Sequence, residues 1–149
     1  MHLYETHLPV ADTKVAEKFY REVVGLPFAY RDPSRDIVFL WVDAKQKAMI
    51  GLWGPNTAYG KQTGIAQKCH VAFAVSLAEL FAAIEKLNAN NIETLGFDGN
   101  KSSEPTVIGW MPSAKFIFAI PTATCSNSLA FCPIHRTRSS MGDTPNGRN

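Results

Sequence analysis

Two histidines, His7 and His70, occupy matching places in two similar halves of this sequence. Each lies in a predicted strand ahead of a predicted helix, His7 12 residues before Phe19 and His70 11 residues before Phe81. Imidazole nitrogens are common ligands of zinc, nickel and iron. A single histidine on a strand is more often structural, but the matched pair favours ligation. His7 and His70 are therefore the candidate metal ligands.

The alternation of side chains along a strand predicts that both histidines face away from the helix-covered side of their sheets. Val71, Phe73 and Val75 form the bulky face of the later strand, whereas His70 shares the other face with two alanines. In the first strand, Glu5 shares the face of His7. Two residues along a strand span about 7 Å, so Glu5 is only a reserve ligand.

The elements that position the histidines repeat along the chain. Each half reads as a strand, a helix and about three further strands, which predicts an α+β fold of two βαβββ modules forming a curved mixed sheet. Asp12 and Ser76 are the predicted helix N-caps. The helical stripe of the second half contains Leu77, Leu80, Phe81, Ile84 and Leu87. The predicted strands cover residues 2–10, 37–42, 48–53, 69–75, 92–95, 107–111 and 115–120, the last range being the beginning of the final strand.

The length of 149 residues suits one domain. We expect a single domain over residues 1–132, with module one at about 1–55, a linker at 56–65 and module two at about 66–132. The polar, aperiodic residues 133–149 are predicted to form a disordered tail.

Composition excludes several functional classes. The formal net charge of +2 gives no support to a nucleic-acid partner. No apolar run is long enough to span a membrane, and the first residues lack a secretory pattern, so a cytoplasmic location is expected. The cysteines, Cys69, Cys125 and Cys132, are odd in number and show no CxxC spacing, which argues against disulfides or a structural zinc site.

The order of these motifs resembles the glyoxalase/bleomycin-resistance/extradiol-dioxygenase superfamily, also called the vicinal oxygen chelate superfamily. Residues 19–26 are similar to its FY..VLGL-type helix end, and residues 69–75 to the strand that opens its second module. The resemblance covers residues 3 to about 118. It implies a divalent metal (Zn, Ni, Mn or Fe) held by one histidine from each module and a glutamate from the final strand. It also implies a homodimer whose partner often supplies part of the site.

The final strand departs from the family pattern, which is Asp-Pro-Asp-Gly-His, two residues, then Glu-Phe. Permitted codons from Ala119 onward, read with their first two bases skipped, encode that whole motif. The simplest hypothesis is a one-base deletion near Ala119, natural or artefactual, and the alternative is a divergent member with a genuine tail. In the restored frame the ligand glutamate falls at position 127, where this chain has Asn127. An amide is a poor substitute for that carboxylate.

The resemblance implies a metal-dependent lyase, isomerase, thiol transferase or dioxygenase that acts on a small oxygen-chelating substrate. Loss of the third ligand would impair such a site in this chain, so the metal itself could be absent. The rival hypothesis is a metal-free protein that sequesters drugs or other flat molecules between aromatic walls. A third is an inactive product of the frameshift. The aromatic candidates for the walls are Phe39, Trp41, Trp53, Phe73 and Trp110.

Overall fold

The first half of the chain places its first and last strands side by side. A computed structural model describes residues 2–43, 45–58, 70–96, 98–108, 113–119 and 128–133, with backbone alone at 113, 119 and 128–133. The strand order is β1-β4-β3-β2, with β1 parallel to β4 and the other pairs antiparallel. The elements are β1 (Glu5–Pro9), α1 (Thr13–Phe19), a π-helical segment (Tyr20–Val24), β2 (Phe28–Arg31), β3 (Ile37–Trp41) and β4 (Met49–Trp53).

The second half repeats this arrangement. The order is β5-β9-β8-β6, with β7 paired to β8 beside β6, and β5 is parallel to β9. The elements are β5 (His70–Val75), α2 (Leu77–Ala89), β6 (Thr94–Leu95), β7 (Thr106–Ile108), β8 (Ser113–Ala119) and β9 (Ser128–Pro133). The predicted α+β class and the two βαβββ modules are therefore confirmed, with one mixed sheet in each module.

The helix ends follow from local chemistry. The Asp12 carboxylate accepts from the N–H groups of Lys14 and Val15 at 2.8 and 3.0 Å, and these bonds lower its pKa. The first helix ends at Gly25, whose φ of 93° suits glycine. In α2, Ser76 and Glu79 form a reciprocal capping box. Both predicted N-caps are confirmed.

Three details of the sequence interpretation were wrong. The edge strand β2 was not predicted, because it is only four residues long and its side chains alternate between exposed and half-buried. The stretch 115–120 was taken as the start of the final strand, but β8 ends at Ala119 and β9 is a separate strand. Leu77 and Phe81 do not belong to the buried stripe of α2, since they are 44% and 49% exposed.

One hydrophobic core joins the two modules. Leu80, Ile84 and Leu87 of α2 belong to the same buried cluster as residues of β1, α1, β3, β4 and β8. Phe19 of module one packs against Phe118 of module two, with ring centroids 6.4 Å apart. The predicted linker from residue 59 onward, the tail from residue 134 onward, Cys69, Cys125, Trp110, Asn127 and His135 lie outside the described residues.

An ion-pair network ties α1 to the edge strand β2. Arg31 Nη2 donates to Glu17 Oε2 at 2.6 Å, and Arg21 Nη1 donates to Glu17 Oε1 at 3.0 Å. Thr13 Oγ1 donates to Asp36, which follows β2 in the chain. Partial burial acts to raise the pKa of Glu17, but the hydrogen bonds from Arg31 and Arg21 outweigh it, and the net shift is downward.

Removing Phe118 should destabilise the fold through the contact between modules. Because Phe118 is fully buried, Phe118→Ala should lower the free energy of unfolding by about 3–5 kcal/mol. The matched control is Phe81→Ala, which should change it by less than about 0.5 kcal/mol. Urea denaturation followed by tryptophan fluorescence measures both. Equal losses for the two variants would contradict this packing.

The lowered pKa of Glu17 predicts a pH dependence of stability. A carboxyl whose folded pKa lies below its unfolded value of about 4.5 stabilises the fold above that pH. The contribution is lost as the pH falls through the folded pKa. Glu17→Gln should therefore lower stability at pH 7 and flatten the decline below about pH 4.5. Urea midpoints from pH 7 to pH 3 measure this, and parallel pH curves would refute it.

Candidate functional site

His7 and His70 lie on the first strands of the two modules, on the faces that the alternation predicted. Leu8 and Val10, which follow His7 in the sequence, have relative exposures of 2% and 1% and belong to the core. His7 itself is half-buried, with 27% of its side chain exposed. In β5, Phe73 belongs to the core, whereas His70 is exposed. Both imidazoles therefore lie on the side of their sheets opposite the hydrophobic core.

The pairing registers show that the two histidines occupy equivalent positions. His7 is the partner of Gly51 in the parallel pair of β1 with β4. His70 is the partner of Ser128 in the parallel pair of β5 with β9. β1 and β5 also lie at corresponding edges of their sheets. His7 and His70, first matched by their spacing in the sequence, therefore also match in strand pairing and in position within their sheets.

The His7 ring is held by groups from three strands. Glu5 Oε1 lies 2.5 Å from His7 Nε2. One proton lies between these two atoms, because a carboxylate oxygen and an unprotonated ring nitrogen are both acceptors. The ring centroid of Trp53 lies 4.8 Å from that of His7, and Phe39 approaches it edge-on at 6.4 Å. The sequence analysis treated Glu5 as only a reserve ligand, because it considered the distance between the two residues along the strand. It did not consider how far the Glu5 side chain can reach.

Gly51 leaves the space that these rings occupy. It is the register partner of both His7 on β1 and Phe39 on β3, so it lies between them in the sheet. A Cβ at position 51 would be 2.8 Å from Trp53 Nε1, 2.9 Å from His7 Cδ2 and 3.0 Å from Phe39 Cε1. No side chain fits there without displacing an aromatic ring. Position 51 of β4, which corresponds by register to position 128 of β9, is therefore closed to a metal ligand.

The two histidines belong to different sheets, which are not hydrogen-bonded to each other in the described part of the chain. Within those same residues, no group of three or more His, Cys, Asp or Glu side chains is arranged to hold a metal ion. The imidazoles of His7 and His70 and the carboxylate of Glu5 have the right donor chemistry for zinc, nickel or iron. The fit to a metal site is therefore partial, because the described residues bring Glu5 and His7 together but provide no group of three such ligands.

The aromatic residues proposed as drug-binding walls differ in their exposure. Trp53 and Phe73 are buried, with 8% and 7% exposure, and Phe39 and Trp41 are half-buried. Arg35 lies over the Trp53 ring at 6.0 Å from its centroid. A cavity of about 340 Å³ borders this side of Trp53. Its lining residues are Ser34, Arg35, Asp36, Trp53, Asn56, Thr57 and Ala58.

The described helices contain no segment long and apolar enough to cross a membrane. No protein-family model matches the sequence, and neither does any curated protein.

Solved structures share the fold. An integron cassette protein from the mobile metagenome of the Halifax Harbour sewage outfall is 22% identical, with a TM-score of 0.70 over 89% of this chain and 98% of its own. A lactoylglutathione lyase from Agrobacterium tumefaciens is 21% identical, with a TM-score of 0.64 over 89% and 92%.

A glyoxalase/bleomycin resistance protein/dioxygenase superfamily member from Sphaerobacter thermophilus is 15% identical, with a TM-score of 0.63 over 90% of this chain and 98% of its own. The chain therefore has the fold of that superfamily, and the resemblance detected in the sequence is supported.

The closed space at Gly51 predicts a specific effect of adding one methyl group. Gly51→Ala should lower the free energy of unfolding by about 1–3 kcal/mol, because a ring must move. It should also shift the NMR signals of the His7 ring. Adding Phe39→Leu should recover part of the stability, since Phe39 lines one side of the clash. A Gly51→Ala protein with unchanged stability and unchanged His7 signals would contradict the crowding.

Proposed function

We propose that this protein derives from a divalent-metal-dependent enzyme that acts on a small oxygen-chelating substrate, with a site impaired in the chain as written. The main observation in support of this proposal is the equivalence of His7 and His70, which occupy corresponding register positions in two parallel strand pairs. A structural role for either histidine alone requires no such match. Imidazoles repeated at symmetric edge strands are the expected donors of a shared metal site.

A divalent cation, when bound, supplies Lewis acidity toward two oxygens of a substrate. The residues of the chain then have separate roles in holding it. His7 offers a nitrogen whose ring is fixed by Trp53 and Phe39. His70 offers a nitrogen from an exposed side chain on the other module. The reaction class is a lyase, isomerase, thiol transferase or dioxygenase, and the lactoylglutathione lyase and oxidases among the structural neighbours are consistent with that range.

We propose a homodimer as the functional assembly. β1 and β5, the strands that carry the histidines, both lie at sheet edges in the described chain. Exposed edges are usually covered by another strand or a partner. A second copy with its β5 beside the first copy's β1 would bring His7 of one subunit near His70 of the other. Such an isologous arrangement forms two equivalent sites.

The frameshift hypothesis explains why the site lacks a carboxylate from β9. In this chain Leu129 pairs with Val71 and Phe131 with Phe73. Val71 and Phe73 belong to the core side of β5. Position 128, not position 127, is then opposite His70. A restored strand must slide by one residue to bring its glutamate at position 127 opposite His70, because register and face are coupled.

The alternative, a metal-free drug-binding protein, has less support. Its proposed wall Phe73 belongs to the core, Trp53 packs against the His7 ring, and Trp110 lies outside the described residues. A sequestering protein also has no need for imidazoles matched across the two modules.

Metal content tests the proposal directly. We would express this chain and a version with the reading frame restored after Ala119, and measure bound metal by elemental analysis. The restored protein should hold about one divalent ion per site, with an affinity at least about 100-fold above that of this chain, because even a supporting group contributes about 10–100-fold. His7→Ala and His70→Ala in the restored protein should each reduce occupancy.

The control is His2→Ala, an exposed histidine ahead of β1, which should leave occupancy unchanged. If neither protein binds metal, His7 and His70 are not ligands, and the metal-enzyme proposal fails in favour of the drug-binding alternative. Equal metal content in both proteins would remove the frameshift as the cause of any impairment.

A further inference from the structure

We propose that Glu5 and His7 together form a divalent-cation site on β1, and that Glu5 replaces the carboxylate that the final strand does not supply. This inference rests on the proposed metal chemistry of His7, but it assigns a ligand from a different strand. The predicted result is residual, weaker metal binding by the chain as written.

The first argument is proximity on one accessible face. Glu5 Oε1 is 2.5 Å from His7 Nε2. The side chains of Glu5 and His7 are 35% and 27% exposed, so a hydrated ion can reach both. Within the described residues, Glu5 forms no ion pair with a lysine or arginine. Among the described residues, its partner is therefore the imidazole of His7.

The second argument is that other directions of approach to His7 are occupied. A side chain at Gly51 on the neighbouring strand would collide with His7, Trp53 and Phe39. Trp53 covers the ring at 4.8 Å. A carboxylate can therefore approach His7 from its own strand, two residues away, and not from position 51 of β4. Glu5 is the residue at that position.

The third argument is that the change needed for metal binding is small. A cation must take the place of the proton that Nε2 shares with Glu5. Bonds of about 2.0–2.2 Å to nitrogen and oxygen require these atoms to lie roughly 3.0–3.4 Å apart in ordinary coordination geometries. The two atoms must therefore separate by less than about 1 Å, which a rotation within the flexible Glu5 side chain provides. The His7 ring can remain in its aromatic setting.

The test uses the chain as written and zinc ion alone. Isothermal titration measures affinity, and NMR of the histidine rings reports whether zinc reaches His7. Glu5→Gln should weaken zinc binding about tenfold or more, since an amide replaces a carboxylate, and should remove the zinc-induced shift of the His7 signal. Glu5→Asp, which keeps the charge, should retain part of the affinity. The matched control is Glu85→Gln, an exposed carboxylate on α2, which should bind zinc as the parent does.

Two results would overturn the proposal. Zinc affinity within about twofold of the parent in Glu5→Gln would make Glu5 a hydrogen-bond partner of His7 only. Metal binding by the frame-restored protein, with none by this chain, would reject the Glu5 site and leave the metal-enzyme proposal intact. Absence of zinc binding in both proteins would reject both proposals, so the two failures are distinguishable.

Discussion

The parallel pairing of the first and last strand within each module is the constraint on which the site depends. In module one, β4 returns beside β1 after a helix and the two antiparallel strands β2 and β3. That pairing places His7 opposite Gly51 and, in the second module, His70 opposite Ser128. Each histidine therefore has a register partner on the neighbouring strand. That partner decides whether a second ligand can lie beside the imidazole. The helices, by covering the opposite faces, leave this side of each sheet open for that purpose.

The sheet of module two illustrates that a strand can join a sheet with few requirements on its sequence. Alternation of apolar residues is enough to recruit a strand, because core burial fixes both register and face. Leu129 and Phe131 are the register partners of Val71 and Phe73. A catalytic residue has no such redundancy, since its type and its register position must both be correct. A change of reading frame can therefore preserve the architecture while it removes a ligand.

Sequence patterns predicted most of the fold because the buried positions carry periodic signals. Asp12 and Ser76 were identified as caps from chemistry that acts within a few residues, and the structure contains both. The edge strand β2 was missed, since half-exposed edge residues lack a clear apolar period. Phe81 was misassigned to the buried stripe because its neighbour Leu80 points inward and the stripe is narrow, with Leu80, Ile84 and Leu87 buried.

The site itself was less predictable, because it depends on contacts between strands distant in sequence. The equivalent positions of His7 and His70 followed from the internal repeat, but the role of Gly51 required the register of three strands. The Glu5 contact required the conformation of two side chains, which no periodicity encodes. The steric closure at position 51 and the proximity of Glu5 thus emerge only from the folded chain.

The two modules surround their histidines with different residues. His7 lies in a row with Gly51 and Phe39, where a missing side chain allows large rings to pack against it. The corresponding row in module two contains His70, Ser128 and Ala119, which are neighbours by register. That row contains no aromatic residue besides the imidazole, and His70 is exposed. A metal site built from both modules would therefore combine a half-buried donor packed against aromatic rings with an exposed donor. A ligand missing from β9 would affect the His70 side of such a site, whereas His7 keeps the Glu5 carboxyl group beside it.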